Sequence, residues 1–517
     1  MRPTATRPGP RETGDPGRPA DGGRRPGVSD PPAAGRGAGL KLTLERGRAL
    51  GVGRGFRLPA LPGTPLSPRR LTAVYFDTRD HRLARAGITL RHRREGTAGR
   101  WRLTLPRGDA RLEVEAAGAA AHPPAALTRL VLAHTRGHPL GPVATTRTRR
   151  RGLRVRDAGG PLAEVAIDDV AVLTGRRVAR RFAALAVDAR RDDDEGLAAL
   201  EARLRRAGAR PGDGRPPVVQ ALGLARPSAP PPVDPAAPAG EQLRAMLARQ
   251  LAALVAHDPG TRVGTDPEDL HHMRVATRRL RAFLRVARPL LDRRWAEPLR
   301  RELGWLGDAL GPVRDLDVLL AGLAGETPTL GSADRRAFRS LHTRLVQERQ
   351  RARGALLEAL ESPRYLRLLE RMEAAARAPR FTGAGASLPA LAAREWRKLR
   401  RAAARLPATP SDATLHALRI RGKRARYAAE LAEPAVGRRA TRFLRTAAAL
   451  QDLLGAHQDA VVTEATLRRL AQTTASRRTA FVAGRLAERQ RQRAAAVRRA
   501  LDSTWAKLER RGAKAWE

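Results

Sequence analysis

The chain has 517 residues, and its 99 lysines and arginines outnumber its 52 aspartates and glutamates, giving a net charge of +47. This balance indicates a polyanionic partner or a strongly self-repelling surface. The absence of cysteine excludes disulfides, thiol catalysis and zinc–thiolate sites. No apolar run reaches the roughly 18 residues that a membrane span needs, so we expect no membrane partner.

Residues 1–37 are rich in Pro, Gly and Arg and lack hydrophobic periodicity, so we expect them to be disordered. They also lack the apolar core of a secretory signal, which favours a cytoplasmic protein. Residues 225–240, ARPSAPPPVDPAAPAG, are typical of a proline-rich linker. This linker separates a domain of short alternating segments at 38–224 from a domain with the pattern of long helices at 241–517.

Apolar and polar residues alternate along several segments of the first domain, which is typical of half-buried β-strands. The polar sides of these segments carry Thr89, Arg91 and Arg93; Arg100, Arg102 and Thr104; Arg111, Glu113 and Glu115; and Glu164 and Asp168. Two architectures fit the alternation. One is an ordinary antiparallel sheet with a solvated outer face, and the other is a barrel whose interior is charged.

A basic ridge is predicted along residues 271–288, HHMRVATRRLRAFLRVAR, where six arginines occur without an acidic residue. At about 100° per residue, one arc of a helix carries His271, Arg274, Arg278, Arg281, Arg285 and Arg288. Met273, Leu280 and Phe283 occupy the neighbouring arc and predict a side that faces a core. Arginines three and four residues apart repel each other, so we expect an anion to offset that cost. The alternative is a solvated face of an arginine-rich protein.

The second domain repeats itself. Residues 270–283 align with 415–428, 145 residues later, and residues 306–320 align with 450–464, 144 residues later. Two agreeing offsets indicate a duplicated unit. Each half, about 241–385 and 386–517, is therefore predicted to be a bundle of about four helices joined by short loops.

The second copy repeats the ridge at the same helical angles with His416, Arg419, Lys423 and Arg426. Glu430 and Glu433 occupy its next two positions, so this ridge is shorter and partly self-neutralised. We expect the first ridge to bind more of any shared ligand. His271 and His416 lie in different halves, so we expect them to bond to an anion rather than to hold a metal.

The duplicated L-H-x-[ML]-R pattern, followed by WLGDALGPVRDLD at 305–317, resembles the CHAD domain over about 265–470. The resemblance implies two pseudo-symmetric four-helix bundles that face each other across a basic groove. It also implies that this groove binds inorganic polyphosphate. The residues it assigns to the groove are His271, Arg274, Arg278, Arg281, His416, Arg419, Lys423 and Arg426, with Arg314 as a further candidate, and the first ridge continues to Arg285 and Arg288.

Three segments of the first domain, at 75–93, 101–106 and 111–116, resemble the CYTH domain, whose fold is the triphosphate tunnel. Members of that family hydrolyse triphosphate or polyphosphate with Mg²⁺ or Mn²⁺, or cyclise adenylate. Their E-x-E-x-K signature is incomplete here: if Lys41 is its lysine, Gly37 and Gly39 stand where the glutamates belong.

Further departures from the CYTH pattern predict a degenerate tunnel without catalytic activity, metal or cofactor. Ala184, Ala186 and Asp188 stand where a later family strand carries glutamates, and Thr104 replaces a family lysine. A hard divalent cation needs oxygen ligands from several strands, and the missing pair removes two of them. Weak anion affinity is expected from Lys41, Arg91, Arg93, Arg102 and Arg111.

The sequence thus predicts an α+β multidomain protein: an N-terminal antiparallel β-barrel of the triphosphate tunnel type and a C-terminal all-α domain of duplicated four-helix bundles. The expected function is polyphosphate binding, with recruitment to polyphosphate granules. Two alternatives remain. One is a metal-dependent triphosphatase in the tunnel, and the other is nucleic acid binding, which would be only non-specific because the chain has no recognisable reading motif.

Overall fold

The computed structural model describes residues 40–517 except 54, 109, 213–214, 227–231 and 384, and the side chains of residues 48 and 329 are also left undescribed. The predicted disordered segment 1–37 and the two signature positions Gly37 and Gly39 lie outside the described residues. Residues 227–231 of the predicted linker also lie outside the described residues. Within the described part, no helix combines the length and the apolarity that crossing a bilayer requires.

The first domain is built on antiparallel strands, which are β1 (Lys41–Val52), β2 (Gly63–Asp77), β3 (Thr89–Glu95), β4 (Ala98–Arg107), β5 (Ala110–Ala116), β6 (Gly141–Asp157), β7 (Gly160–Thr174), β8 (Arg177–Ala189) and β9 (Arg210–Pro211). Its helices are α1 (Arg82–Arg85), α2 (Ala125–Leu130), α3 (Leu132–Thr135), α4 (Asp194–Arg206) and α5 (Pro217–Ala221). The strand order is β5-β4-β3-β2-β6-β7-β8-β1-β9, with a further β5–β1 pairing.

That further pairing closes the sheet on itself through β1. Residues 41–46 of β1 pair with β5, and residues 47–52 pair with β8. No residue of β1 pairs with both β5 and β8, so the ring is a tunnel-type sheet rather than a clean barrel. The predicted antiparallel sheet of the triphosphate tunnel type is confirmed, although it is not the clean barrel that was expected.

The outside of this tunnel explains why the charged residues lie inside. Trp101 and Leu103 of β4 are fully buried against α1 and α2, where they meet Leu83 and Leu127. On another side, α4 covers the apolar face of β7 and β8. Because side chains alternate across a strand, the opposite, charged face of these strands turns into the tunnel. The outer face of β6 and its neighbours carries mainly arginine instead.

The second domain is helical. Its first repeat contains α6 (Ala239–Val263), α7 (Pro267–Val286), α8 (Arg293–Ala324), α9 (Ser332–Glu361) and α10 (Pro363–Arg377); its second contains α11 (Leu388–Ala403), α12 (Asp412–Val436), α13 (Arg438–Thr473), α14 (Arg477–Arg499) and α15 (Leu501–Trp516). Short 3-10 helices follow α7 and α8. The all-helical second domain is confirmed, and within the described residues each predicted repeat contains five α-helices where about four were expected.

The two repeats are joined at two places. α7 packs against α12, and residues of α11 and α12 complete the apolar core of the first repeat. Farther along the bundle, α8 and α9 share a separate apolar core with α13 and α14. The helices α8 and α13, at 32 and 36 residues, are long enough to reach both places. These contacts determine how the two predicted ridges face each other.

Candidate functional site

The two ridge helices begin with polar caps and bury one side. Asp266 accepts a hydrogen bond from the backbone of Glu268 at the start of α7, and Ser411 accepts one from Thr414 at the start of α12. The apolar sides bury Met273, Leu280 and Phe283 on α7 and Leu415, Leu418 and Ala425 on α12. The basic sides therefore turn away from the bundle cores, as the 3.6-residue period predicts.

Cations from the two repeats lie within electrostatic range of one another. Burial lowers the pKa of Lys423 to about 7, and Arg419, Arg278 and Arg274 lower it further in that order. Burial also lowers the pKa of Arg419, with Asp459 opposing the shift and Arg278 and Arg274 adding to it. Two residues of α12 and two of α7 thus form one cluster, which we call the basic groove.

Acidic residues position the edges of the basic groove. Nη1 of Arg274 lies 3.2 Å from Oδ1 of Asp315, and Nη1 of Arg314 lies 3.5 Å from Oε1 of Glu268. Asp315 therefore holds the Arg274 guanidinium at one edge of the groove. Nε of Arg278 donates to the hydroxyl of Tyr427, which ties the first ridge directly to the second repeat.

Two glycines of α8, Gly304 and Gly311, lie beside arginines of the first ridge. A Cβ at Gly304 would lie 3.4 Å from Cζ of Arg281, and a Cβ at Gly311 would lie 3.7 Å from Nη2 of Arg274. Both distances are ordinary van der Waals contacts, so the two guanidinium groups lie directly against the backbone of α8 at these glycines. The sequence pattern did not reveal this close approach.

Three cations of the basic groove, and Arg281 of the first ridge, have no direct ion pair among the described residues. Among the residues that the structure describes, Arg278, Arg281, Arg419 and Lys423 form no ion pair with a carboxylate. Nε of Arg419 is buried without a hydrogen-bond partner. Unpaired cations this close to one another are costly unless an anion joins them.

The C-terminal ends of both ridges are neutralised by the chain itself. Arg285 lies 3.1 Å from Glu395, and Arg288 lies 3.7 Å from Glu297. In the second ridge, Nε of Arg426 lies 3.2 Å from Glu430. Partial self-neutralisation was expected only of the second ridge, and the acidic partners of the first ridge come from other helices, Glu297 from the next helix and Glu395 from the second repeat. These three arginines lie at the margin of the groove.

The histidines lie at the other end of the ridges. Burial, followed by Arg314, lowers the pKa of His271 below its ordinary value. Nδ1 of His416 lies 2.5 Å from Oε1 of Gln458. Within the described residues, no three His, Asp or Glu side chains are grouped closely enough to hold a metal ion.

The tunnel contains a second set of charges. Arg102 forms ion pairs with Glu113, at 2.7 Å, and with Glu115, while Lys41 stands opposite Glu115 in the strand register. Burial lowers the pKa of Arg93 to about 10, with Arg102 and Arg91 as the next causes. Nε of Arg91 is buried without a hydrogen-bond partner.

Three tunnel residues were absent from the predicted set of site residues. Glu45 stands opposite Arg111, and burial, followed by Glu113 and Asp188, raises its pKa. Burial likewise raises the pKa of Asp188. Arg150 donates two hydrogen bonds of 2.7 Å to Asp168. Glu45 lies four residues after Lys41, so the strand alternation places both on the same face. The sequence therefore contained this signal.

Comparisons with known proteins agree with this architecture. The CYTH domain family matches residues 54–204, and the CHAD domain family matches residues 245–468. The chain is 32% identical over 490 residues to the uncharacterized protein Rv2226 of Mycobacterium tuberculosis strain H37Rv, covering 86% of this chain and 91% of that one. A second M. tuberculosis protein, from strain CDC 1551, matches with the same identity and coverage. This chain belongs to the family of proteins that join a CYTH domain to a CHAD domain.

Solved structures resemble single parts of the chain. PptA from Streptomyces chartreusis is 26% identical, with a TM-score of 0.46, and covers 52% of this chain and 100% of its own. The CHAD domain of the plant Ricinus communis is 30% identical, with a TM-score of 0.45, and the match covers 55% of this chain and 96% of that one. A putative adenylyl cyclase from Hippeastrum, described as having a dominant triphosphatase activity, is 14% identical, with a TM-score of 0.22, and covers 35% and 98%.

Proposed function

We propose that the basic groove binds inorganic polyphosphate. The observation that carries this proposal is the cluster of Arg274, Arg278, Arg419 and Lys423, two cations from each repeat. A linear polyanion between α7 and α12 would contact both rows at once and offset their mutual repulsion. Arginine suits this ligand, because its planar fork grips phosphate oxygens in pairs.

The side chains of the groove favour a plain phosphate polymer over a nucleic acid. The groove lies between two packed helices, and Tyr427, the aromatic residue that contacts Arg278, is buried. Polyphosphate offers no bases, so it requires neither stacking platforms nor groups that read base edges. Binding should weaken steeply as salt rises, because the bound chain releases its counter-ions. Recruitment to polyphosphate granules would follow from the same affinity.

The tunnel is proposed to be catalytically inactive. Arg102 forms ion pairs with Glu113 and Glu115, and Arg150 forms one with Asp168, so these carboxylates already have a cation. Arg154 and Arg190 pair with Glu164. Glu45 and Asp188 are left, and a hard divalent cation needs more oxygen ligands than these two supply. The carboxylates present therefore do not fit Mg²⁺ or Mn²⁺, and no reaction step is derived through either ion.

A double charge reversal in the groove tests the proposal. Arg274→Glu with Arg278→Glu should abolish binding of long-chain polyphosphate while circular dichroism shows unchanged helix content. The matched control is Arg335→Glu with Arg336→Glu, two exposed residues of α9 that form no ion pair with the described residues. The control should retain most of the affinity, measured by competition at physiological salt.

Chain length gives an independent criterion. Long-chain polyphosphate should compete far better than the same amount of phosphate supplied as tripolyphosphate, since only a long chain spans both rows. Equal competition by tripolyphosphate, or an equal loss of affinity in the α9 control, would contradict a polyphosphate groove.

A further inference from the structure

One side of the tunnel wall is not covered by a helix and consists largely of arginine. Helices α1 and α2 cover β4, and α4 covers β7 and β8. The outer face of β6 and its neighbours, by contrast, carries five exposed arginines. We call them the arginine wall: Arg70, Arg94, Arg147, Arg149 and Arg181.

Strand register places these arginines in two rows across the sheet. The first row crosses five strands in the order β3, β2, β6, β7 and β8. Arg94 of β3 and Arg147 of β6 lie on either side of Thr72 of β2. Ala171 of β7 then lies between Arg147 and Arg181 of β8. In the second row, Arg70 of β2 stands directly opposite Arg149 of β6. The rows share one face, since members on the same strand are two residues apart.

The arginine wall has almost no internal neutralisation. Among the residues that the structure describes, none of its five members forms an ion pair. Asp169 stands opposite Arg149 in the register, but its ion pair, at 3.7 Å, is with Arg151. Like charges directly opposite each other destabilise a sheet, as Arg70 and Arg149 do here. A pattern that lowers stability in the free protein favours an external anion.

The dimensions of the wall indicate what kind of anion it fits. The first row spans four strand spacings, about 19 Å along the sheet, and the two rows are about 7 Å apart. A single-file phosphate polymer fits between two facing rows, as proposed for the groove between α7 and α12. A broad array contacts phosphates on both backbones of a duplex at once. No wall member is aromatic, which removes the stacking that single strands use.

We propose that the arginine wall binds the phosphodiester backbone of duplex nucleic acid without reading its sequence. This site is separate from the groove, and the proposal goes beyond polyphosphate binding. The protein would then hold two different phosphate polymers on two different domains, with the groove selecting a thin flexible chain and the wall selecting a wide rigid one.

The experiment uses the full chain, a mixed-sequence DNA duplex and three variants. The wall variant is Arg70→Gln, Arg147→Gln and Arg149→Gln. Its matched control removes the same charge from α9 with Arg335→Gln, Arg336→Gln and Arg339→Gln, all exposed and without ion pairs to the described residues. The groove variant carries Arg274→Glu and Arg278→Glu. Thermal unfolding checks the fold, and the wall variant should be no less stable than the wild type because opposed like charges are removed.

The wall variant should bind the duplex at least roughly tenfold more weakly, and the slope of log affinity against log salt should fall by about 3, close to one unit for each lost phosphate contact. The α9 control and the groove variant should keep duplex affinity within about twofold. The wall variant should keep its polyphosphate affinity. A failure of the polyphosphate proposal would appear separately, as unchanged polyphosphate binding in the groove variant.

Four outcomes would overturn the arginine wall as a duplex site. The wild type does not bind the duplex at physiological salt. The α9 control loses as much duplex affinity as the wall variant, which means that net charge alone matters. The groove variant loses duplex binding. Or the wall variant loses polyphosphate and keeps the duplex, which assigns the wall to polyphosphate.

Discussion

Arg279 of the first repeat and Glu430 of the second form an ion pair across the repeat interface, with Nε 2.7 Å from Oε2. The same carboxylate lies 3.2 Å from Nε of Arg426. Arg279 is the one arginine of its segment outside the ridge arc, and Glu430 interrupts the second ridge. Together they stabilise the contact between α7 and α12, while Arg278 and Lys423 stay without a carboxylate partner.

Glu430→Gln should therefore lower the free energy of unfolding and increase the stabilisation that bound polyphosphate provides. Loss of this half-buried carboxylate leaves Arg279 and Arg426 uncompensated, at a cost of about 1–3 kcal/mol in the free energy of unfolding. Polyphosphate should restore part of that loss. Urea unfolding with and without polyphosphate measures both effects. Glu488→Gln, which removes an exposed partner of Arg491, should cost no more than about 0.5 kcal/mol. Equal costs in the two variants would contradict the role of Glu430.

Polyphosphate affinity should fall as pH rises above neutrality. The pKa of Lys423 in the free protein is about 7, against an ordinary value of 10.5, because of burial and then its arginine neighbours. A bound anion raises that pKa again, so binding takes up a proton above pH 7 and none well below it. Affinity should therefore be fully present below about pH 7 and fall by up to about tenfold per pH unit above it.

The same shift determines how Lys423 affects the stability of the free protein. A folded-state pKa below the unfolded one means that the unfolded chain binds more protons between pH 7 and 10.5. The contribution of Lys423 to stability thus rises with pH across that window.

Lys423→Arg should flatten the pH dependence of binding measured by titration calorimetry. An unchanged slope in that variant would show that another group causes it.

The tunnel should release no phosphate from tripolyphosphate with Mg²⁺ or Mn²⁺. Glu113→Gln should instead raise tripolyphosphate affinity by roughly threefold to tenfold, since it removes one of the two carboxylates that pair with Arg102 and compete with the anion. Phosphate release and equilibrium binding are measured on the same preparation. Metal-dependent release that disappears in Glu113→Gln or Glu164→Gln would establish a triphosphatase and disprove the inactive tunnel.

Arg107 should couple the two domains. It forms ion pairs with Asp266, at 3.3 Å, and with Asp269, at the start of the helix that carries the first ridge. Arg107→Gln leaves Asp269 with His257 alone and should lower the free energy of unfolding by about 1–3 kcal/mol, separating two transitions in calorimetry. Arg129→Gln, at an exposed contact with Glu361, is the control and should have little effect. A single unchanged transition in Arg107→Gln would rule out this coupling.

Much of the architecture was predictable because local patterns reflect the burial of one face. The period of Met273, Leu280 and Phe283 predicts the buried side of α7, and these residues lie in the core. The alternation at 100–105 predicts a strand with a charged side, and that side faces the tunnel. The two matching offsets predict the duplication, because repeated helices bury the same faces in the same order.

The sequence by itself determined the domain order, the repeat, the sign of the charge and the two ridges, since each depends on residues close together in the chain. Only the tertiary structure decided which cations stay unpaired. Glu395 and Glu297 neutralise Arg285 and Arg288 from other helices, and β1 completes the tunnel by changing partners midway. Counter-ions and closure depend on long-range contacts, which local periodicity does not encode.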